Sequence, residues 1–476
     1  MAEFDAVVVG AGPNGLSAAI TMQRAGLRVL LLEAKSTVGG GMRSAELTLP
    51  GFVHDVCSAI HPLGVGSPFF RQLPLNDFGL EWIEPPVLAA HPFDDGTAAA
   101  LMFSLEETAA GLGEDREAYT RIYGPLIEAW PKIEREVLGP VLAWPTHPLA
   151  MAKFGAKALL PASMLARRFR GRDARGLLAG MAAHGMQPLT SVATSGPALV
   201  LTIAGHRGGW PMVRGGSQKF ADALAAYFVS LGGVVENGVA VEALDALPKA
   251  RVMLLDVGPK QLLQIAAGKL SSVYRAQLEK FEYGPGAFKV DWALDGPVPF
   301  ASEICRRAGT VHLGGTFEEI AESEAEIAAG RHSEKPFVLF AQQSLFDATR
   351  APAGQHTAWG YCHVPNGSTV DMTEVIEAQV ERFAPGFRER ILARHTMNTS
   401  SMQAYNANYV GGDINGGALT LRQIVARPVL QSSPYRTSID GVYLCSASTP
   451  PGGGVHGMCG FHAARQALVD RFGISL

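Results

Sequence analysis

Long apolar runs are missing from this chain. No segment approaches the ~18–20 uninterrupted apolar residues of a membrane span. Cysteine is scarce: five in 476 residues, Cys57, Cys305, Cys362, Cys445 and Cys459. The count is odd and no pair has C-x-x-C spacing. A disulfide framework, a structural zinc site and a dithiol redox centre are therefore all unsupported, and five buried thiols are expected. No two histidines have metal-ligand spacing and no G-x-S-x-G elbow occurs, so neither a metal centre nor that nucleophile is expected. Charged residues make up only 18% and the formal net charge is −4, a balance that excludes nucleic acid as a general partner. The opening stretch MAEFDAVVVGAG has an acidic flank, a short apolar run and no small-residue cleavage site. It does not read as a secretory signal, and a cytoplasmic location is expected.

What the chain does have is apolar content and glycine. It is 47% hydrophobic, with 54 glycines and 30 prolines. That supports substantial cores joined by many tight turns. At ~100–200 residues per domain the length implies two large units or three smaller ones.

The first 35 residues form a legible unit. Ala6–Val9 is a short apolar run suited to a parallel strand buried on both faces. Gly10, Gly12 and Gly15 complete G-x-G-x-x-G. Leu16, Ala19, Ile20 and Gln23 recur at helical spacing, and Gly26 closes the helix. Leu27–Leu32 is a second strand, and Glu33 ends it. Gly10 permits a tight turn, Gly12 lets the backbone approach a pyrophosphate, and Gly15 lets helix and strand pack closely. The helix N-terminus offers free N–H groups to phosphates. Glu33 is placed to accept from ribose hydroxyls and would repel a 2′-phosphate. The strand–turn–helix context with a following acid points to a dinucleotide site.

A glycine triplet, Gly39–Gly41, follows Glu33 after AKSTV. The chain also carries GGWPMVRGGSQKFADALAAYFVSLGG (Gly208–Gly233), GAFKVDWALDGPVPF (Gly286–Phe300), NYVGGDINGGALTLRQ (Asn408–Gln423) and DGVYLCSASTPPGGGVHGMCG (Asp440–Gly460). With these stretches the sequence resembles the FAD-dependent oxidoreductases of the phytoene desaturase-like family, along nearly its whole length. The resemblance implies an α/β fold: an FAD/NAD(P)-binding Rossmann-like domain and a substrate domain with a second mixed β-sheet plus helices. Residues 1–85, 200–270 and 415–476 would form the discontinuous FAD domain, and 86–199 with 271–414 the substrate domain. Gly10, Gly12, Pro13, Asn14, Gly15, Glu33, Ala34, Gly40, Gly41, Arg43, Val241, Gly454, Val455, His456 and Met458 would hold FAD non-covalently. The C-terminal glycine loop and the helix N-terminus near Gly457 would cover the ribityl and pyrimidine end of the flavin, which answers why Gly452–Gly454 cluster there. Two departures stand out. Gly41 sits where many bacterial relatives have arginine, and Pro450 sits where they tend to have histidine.

The implied reaction is hydride transfer from a hydrophobic substrate, polyene- or isoprenoid-like, onto flavin N5, with oxygen, a quinone or another molecule as final acceptor. Three alternatives remain open: flavin-dependent isomerisation without net redox, a non-catalytic flavin-bound binding or scaffold protein, and an NAD-only dehydrogenase. His456 is the candidate catalytic group, against a reading as a backbone-bonded loop histidine. His61 and Tyr409 are further cavity candidates. His356 and His363 fall on a predicted strand and read as structural.

Val234–Leu244 reads as strand, turn and strand, and Ala250–Pro259 as a buried strand. Phe288, Val290, Trp292 and Leu294 alternate with Lys289, Asp291, Ala293 and Asp295, which predicts a strand with one covered face. Pro336–Phe346 and His356–Pro365 look like its sheet partners. Glu318–Gly330 reads as a solvated acidic helix. Leu142–Arg172 mixes apolar and basic residues. It is either a peripheral membrane contact or a partly buried helical cap whose cations face water.

Overall fold

The computed structural model describes residues 3–141 and 144–475. Two sheets organise it. The first has five strands in the order Val442–Leu444, Val252–Leu255, Ala6–Val9, Val29–Glu33 and Val234–Asn237, all parallel. Its central strand pairs Ala6–Val9 with Val252–Leu255 on one side and Val29–Leu32 on the other. AVVV, VLLLE and VMLL are β-branched and leucine-rich because both faces are covered. One face packs against the helices Pro13–Arg24, Gln218–Ser230 and Met458–Phe472. The other buries Val7, Val9, Leu30 and Leu255 against the helices Pro259–Ile265 and Ser272–Leu278.

The second sheet has seven strands, in the order Ile391–Met397, Gly286–Leu294, His356–Val364, Val338–Ala341, Ala308–Leu313, Val87–Pro92 and Ala98–Leu101. Neighbours are antiparallel except Ala308–Leu313 and Val87–Pro92, which run parallel. Gly286–Leu294 pairs with His356–Val364 as expected, but its second face is not open. All nine of its residues are buried. Phe288, Val290, Trp292 and Leu294 pack under the helix Thr373–Phe383. Lys289 and Asp291 face the other way and ion-pair inside the protein. Alternation reports a chemical difference between faces; it cannot report that a second layer covers the polar one.

Two other expectations change. Val234–Asn237 is a strand, but the chain after it does not return as one; Leu244–Ala246 is a short helical turn. The N–H groups of Gly238 and Val239 instead bond the carbonyls of Lys35 and Glu33, which carries Val239–Val241 along the edge of the sheet. The acidic helix spans Phe317–Ala328 and starts with a capping box between Thr316 and Glu319. One of its acids is not solvated: Glu324 is buried against His363, 2.7 Å away.

The basic segment forms the helices Pro148–Ala158 and Ala162–Ala166, with Phe154, Ala158 and Leu165 buried, Lys157 half-buried, and Lys153, Arg167 and Arg168 exposed. Leu142, its first residue, lies outside the described residues. Among the described residues no helix is long and apolar enough to cross a membrane. All five cysteines are free, and four are buried.

Candidate functional site

A large cavity of about 580 Å³ runs from the carboxyl ends of the parallel strands to one face of the seven-stranded sheet. Ligands of α/β sheets bind at the carboxyl ends of the strands, and that end is built by three glycine-containing loops. Gly10, Gly12, Pro13, Asn14, Glu33, Ala34, Gly40, Gly41, Arg43, Val241, Gly454 and Val455 all border the cavity. Gly15, His456 and Met458 lie outside its lining.

The loops are tightly set. A Cβ on Gly15 would stand 1.8 Å from the Gly10 carbonyl oxygen, and one on Gly40 would stand 2.9 Å from the Gly12 Cα. Glu33 is 7% exposed. Its Oε2 accepts from Ala11 N–H at 2.8 Å, and its Oε1 from Lys35 N–H at 2.9 Å. Arg43 also bonds that Oε1 at 3.0 Å and bonds the Thr37 and Gly40 carbonyls. Arg43 thus clamps the acid and the glycine triplet from beside the cavity. A carboxylate has about four lone-pair sites and three are taken, so Glu33 keeps capacity for one further donor, on Oε2.

Gly41 has a physical explanation. A Cβ there would lie 2.4 Å from the Tyr409 hydroxyl. Tyr409 fills the space a longer side chain would need, and donates to Cys57 Sγ at 3.5 Å.

The C-terminal loop meets the first helix directly. Gly460 sits on Asn14, and a Cβ on it would be 1.8 Å from the Asn14 carbonyl oxygen. Gly454 and Val455 reach the cavity, but the His456 ring turns inward. It is 1% exposed, and its Nδ1 accepts the Met458 N–H at 3.0 Å. The Gly453 and Gly452 backbone bonds the ring too, while burial pushes its pKa down to about 4. From there it tethers the start of the helix Met458–Phe472 and presents no proton to the cavity. His61 borders the cavity, but its Nε2 bonds Ser217 Oγ at 2.8 Å and its ring sits against Trp82 and Phe220.

One acid beside the glycine loops was not anticipated. Asp256 follows the strand Val252–Leu255 at the level where Gly10 follows its neighbour. Its Oδ2 accepts the Gly15 N–H at 3.0 Å, and it borders the cavity. Burial, with Glu33 adding repulsion, raises its pKa to about 7. A carboxyl at the mouth of a helix N-terminus is ordinarily stabilised as the anion; here desolvation outweighs that.

Beyond Tyr409 the walls turn aromatic. Trp210, Trp359, Tyr361, Leu201, Leu339 and His184 line the sheet end. Trp359 stacks on Tyr361 with centroids 5.8 Å apart, and Lys289 lies behind Trp359, 5.4 Å from its ring centre.

The cradle therefore suits a dinucleotide with a planar ring system beyond it: backbone N–H groups and glycines for phosphates, an acid for ribose, and a sheltered aromatic chamber. The comparisons agree. The family model described as an NAD(P)-binding Rossmann-like domain matches residues 8–73. The chain is 27% identical to the pyridine nucleotide-disulfide oxidoreductase domain-containing protein 2 of Mus musculus, over 98% of this chain and 94% of that protein. It is 26% identical to the hydroxyneurosporene desaturase of Cereibacter sphaeroides, over 98% and 97%. The crystal structure of a CLA-producing fatty acid isomerase from P. acnes superimposes with a TM-score of 0.59 at 15% identity, covering 99% of each chain; at that identity the likeness is one of fold.

Proposed function

We propose that this chain, an oxidoreductase of the phytoene desaturase-like family, binds FAD non-covalently and oxidises or desaturates a hydrophobic molecule. The observation that carries the reading is the continuity of one cavity from the glycine loops and Glu33 to the aromatic chamber. Bound FAD would supply the two-electron acceptor, taking a hydride from a substrate C–H at N5. The protein's own share is positional. Glu33 and the glycine loops hold the nucleotide, and Gly454 and Val455 close over it. Trp210, Trp359 and Tyr361 exclude water from the chamber. The disulfide chemistry in the mouse relative's name has no counterpart here, because the five cysteines are unpaired and Cys57 alone borders the cavity. A second reading, isomerisation without net redox, is favoured by the likeness to the fatty acid isomerase fold; equal substrate and product masses would identify it.

The absorption spectrum of the purified protein, before and after heat denaturation, tests the cofactor. Bands near ~370 and ~450 nm that pass into the supernatant are expected for non-covalent flavin. A colourless protein that takes up no added FAD would overturn the proposal. Glu33→Ala is expected to weaken FAD retention by at least about tenfold, the loss of charge-assisted hydrogen bonds; full occupancy after dialysis would remove the ribose contact.

Asp256 gives a pH prediction. Its folded pKa is raised to about 7. It is therefore neutral below that pH and charged above it, beside where a pyrophosphate would lie. FAD retention is expected to fall as pH rises through 7, by up to about tenfold per pH unit for a single proton. In Asp256→Asn the profile should be flat, measured by equilibrium dialysis between pH 6 and 9. A wild-type profile already flat across that range would show that Asp256 does not face the nucleotide.

A further inference from the structure

We infer that the sheet end of the cavity is built for a neutral, largely apolar molecule carrying one hydroxyl or carbonyl group, held between the Tyr361 hydroxyl and the His184 imidazole. The inference rests on the reading of the opposite end as the FAD site, which leaves this end for substrate.

Most polar atoms of the chamber are already engaged. Trp210 Nε1 donates to Thr310 Oγ1 at 3.0 Å, and the Tyr409 hydroxyl donates to Cys57. His184 Nε2 shares a hydrogen bond with His312 Nε2 at 3.0 Å. Besides Trp359 Nε1, which is buried without a partner, that leaves His184 Nδ1 and the Tyr361 hydroxyl with no hydrogen bond among the described residues; all three residues border the cavity. An apolar molecule filling the chamber would strip water from both atoms and return nothing, which is costly for buried polar groups. A molecule with one oxygen in the right place satisfies them. The shared bond also makes the site adaptable. When His184 Nε2 donates to His312, Nδ1 is an acceptor. When His312 donates instead, His184 Nδ1 carries the proton and is a donor. A hydroxyl or a carbonyl can each be matched by one tautomer.

Charge is what the chamber does not offer. Burial pushes the His184 pKa down to about 3, and raises that of Tyr361 far above neutrality. Both groups are therefore neutral across the physiological range. Among the described residues, the carboxyl, ammonium and guanidinium groups of the lining, those of Glu33, Lys35, Arg43 and Asp256, all lie at the dinucleotide end. Lys289 sits behind Trp359 and is already paired with Asp291. An ammonium or a carboxylate entering the chamber would lose its hydration and meet no counter-charge.

The histidine pair is held firmly. The helix Arg172–Ala183 places Gly176 and Gly180, one turn apart, directly on the buried rings of His91 and His312. A Cβ on Gly180 would be 2.5 Å from His312 Nδ1, and one on Gly176 would be 2.7 Å from His91 Cδ2. Interior helix glycine is disfavoured relative to alanine. Two of them over two imidazoles indicate that ring placement outranks local helix stability.

The test is a titration of the full chain at pH 7.5, with and without added FAD, read by tryptophan emission. The probes are cyclohexane, cyclohexanol, cyclohexanone, cyclohexylamine and cyclohexanecarboxylate. Cyclohexanol and cyclohexanone are expected to bind about tenfold tighter than cyclohexane, the worth of one net hydrogen bond, and the two charged probes more weakly than cyclohexane. His184→Phe and Tyr361→Phe should each erase most of the alcohol preference while leaving cyclohexane affinity and flavin content unchanged. Tighter binding of the amine or the acid would overturn the inference, as would an alcohol preference that survives both substitutions. Flavin content in the same samples separately decides the FAD reading.

Discussion

Replacing Arg350 by methionine is expected to destabilise the protein by about 3–5 kcal/mol, the usual consequence of stranding buried charges. Arg350 is fully buried. Its Nη2 lies 3.0 Å from Asp55 Oδ2, and its Nε lies 3.0 Å from Asp347 Oδ2; both acids are also fully buried. Asp55 further accepts from Ser217 N–H and Ser44 Oγ, each at 2.7 Å, and Asp347 accepts from Gly215 N–H at 2.7 Å. The guanidinium therefore joins the short strand Val53–Asp55 to the turn that starts the helix Gln218–Ser230. The sign of the pH dependence distinguishes this account. In the wild type, hydrogen bonds and Arg350 hold Asp55 and Asp347 below the usual carboxylate range despite burial. Their contribution is present above pH ~4 and is lost as pH falls through the depressed values. In Arg350→Met the same carboxylates lack their cation, so their pKa values rise and acid favours the folded mutant. The stability gap should thus narrow as pH falls from 7.5 to 5. A urea-denaturation midpoint followed by circular dichroism at both pH values measures it. A gap below about 1 kcal/mol, or one that widens in acid, would sink the argument.

Nothing around Arg350 in FDATRAPAG distinguishes it from a solvated loop residue. That contrast marks what was legible in the sequence. The dinucleotide end could be read because its determinants are local: G-x-G-x-x-G, the helix after it and Glu33 lie within one strand–helix–strand unit. The chamber could not, because Thr310, Leu339, Trp359 and Tyr361 come together only through strand pairing across a mixed sheet. Asp256 had a faint signal, since it ends a buried apolar run as Gly10 does, but only the parallel register puts the two side by side. His456 lies in the expected loop, but its ring faces away from the cavity. A glycine loop fixes where its backbone goes, and the ring found better partners in Met458 N–H and the Gly452–Gly453 backbone than in the cavity. Gly41 is a departure whose cause, Tyr409 occupying its space, lies far along the chain.

Gly15→Val and Gly460→Val should both abolish flavin retention, although they lie near opposite ends of the chain and neither residue borders the cavity. The N-terminus of the helix Pro13–Arg24 is gripped from two sides. On one side Gly15 faces the Gly10 carbonyl, and on the other Gly460 of the helix Met458–Phe472 faces the Asn14 carbonyl; each would bring a Cβ to 1.8 Å of oxygen. Both obstacles are backbone, so no rotamer change relieves them. Overpacking of this kind typically costs about 1–3 kcal/mol, more where the backbone must move. Here the relief is a displacement of the helix end away from one loop or the other, which misplaces the N–H groups that would face a pyrophosphate. Loss of the flavin bands with retained far-ultraviolet circular dichroism is the expected signature in both variants. Ile20→Ala, further along the same helix, separates misplacement from general damage: it empties space at a residue that is 0% exposed and belongs to neither glycine contact. It should lower stability while keeping the flavin, whereas equal flavin loss in all three would mean that packing of the helix as a whole, and not the position of its first turn, controls the cofactor.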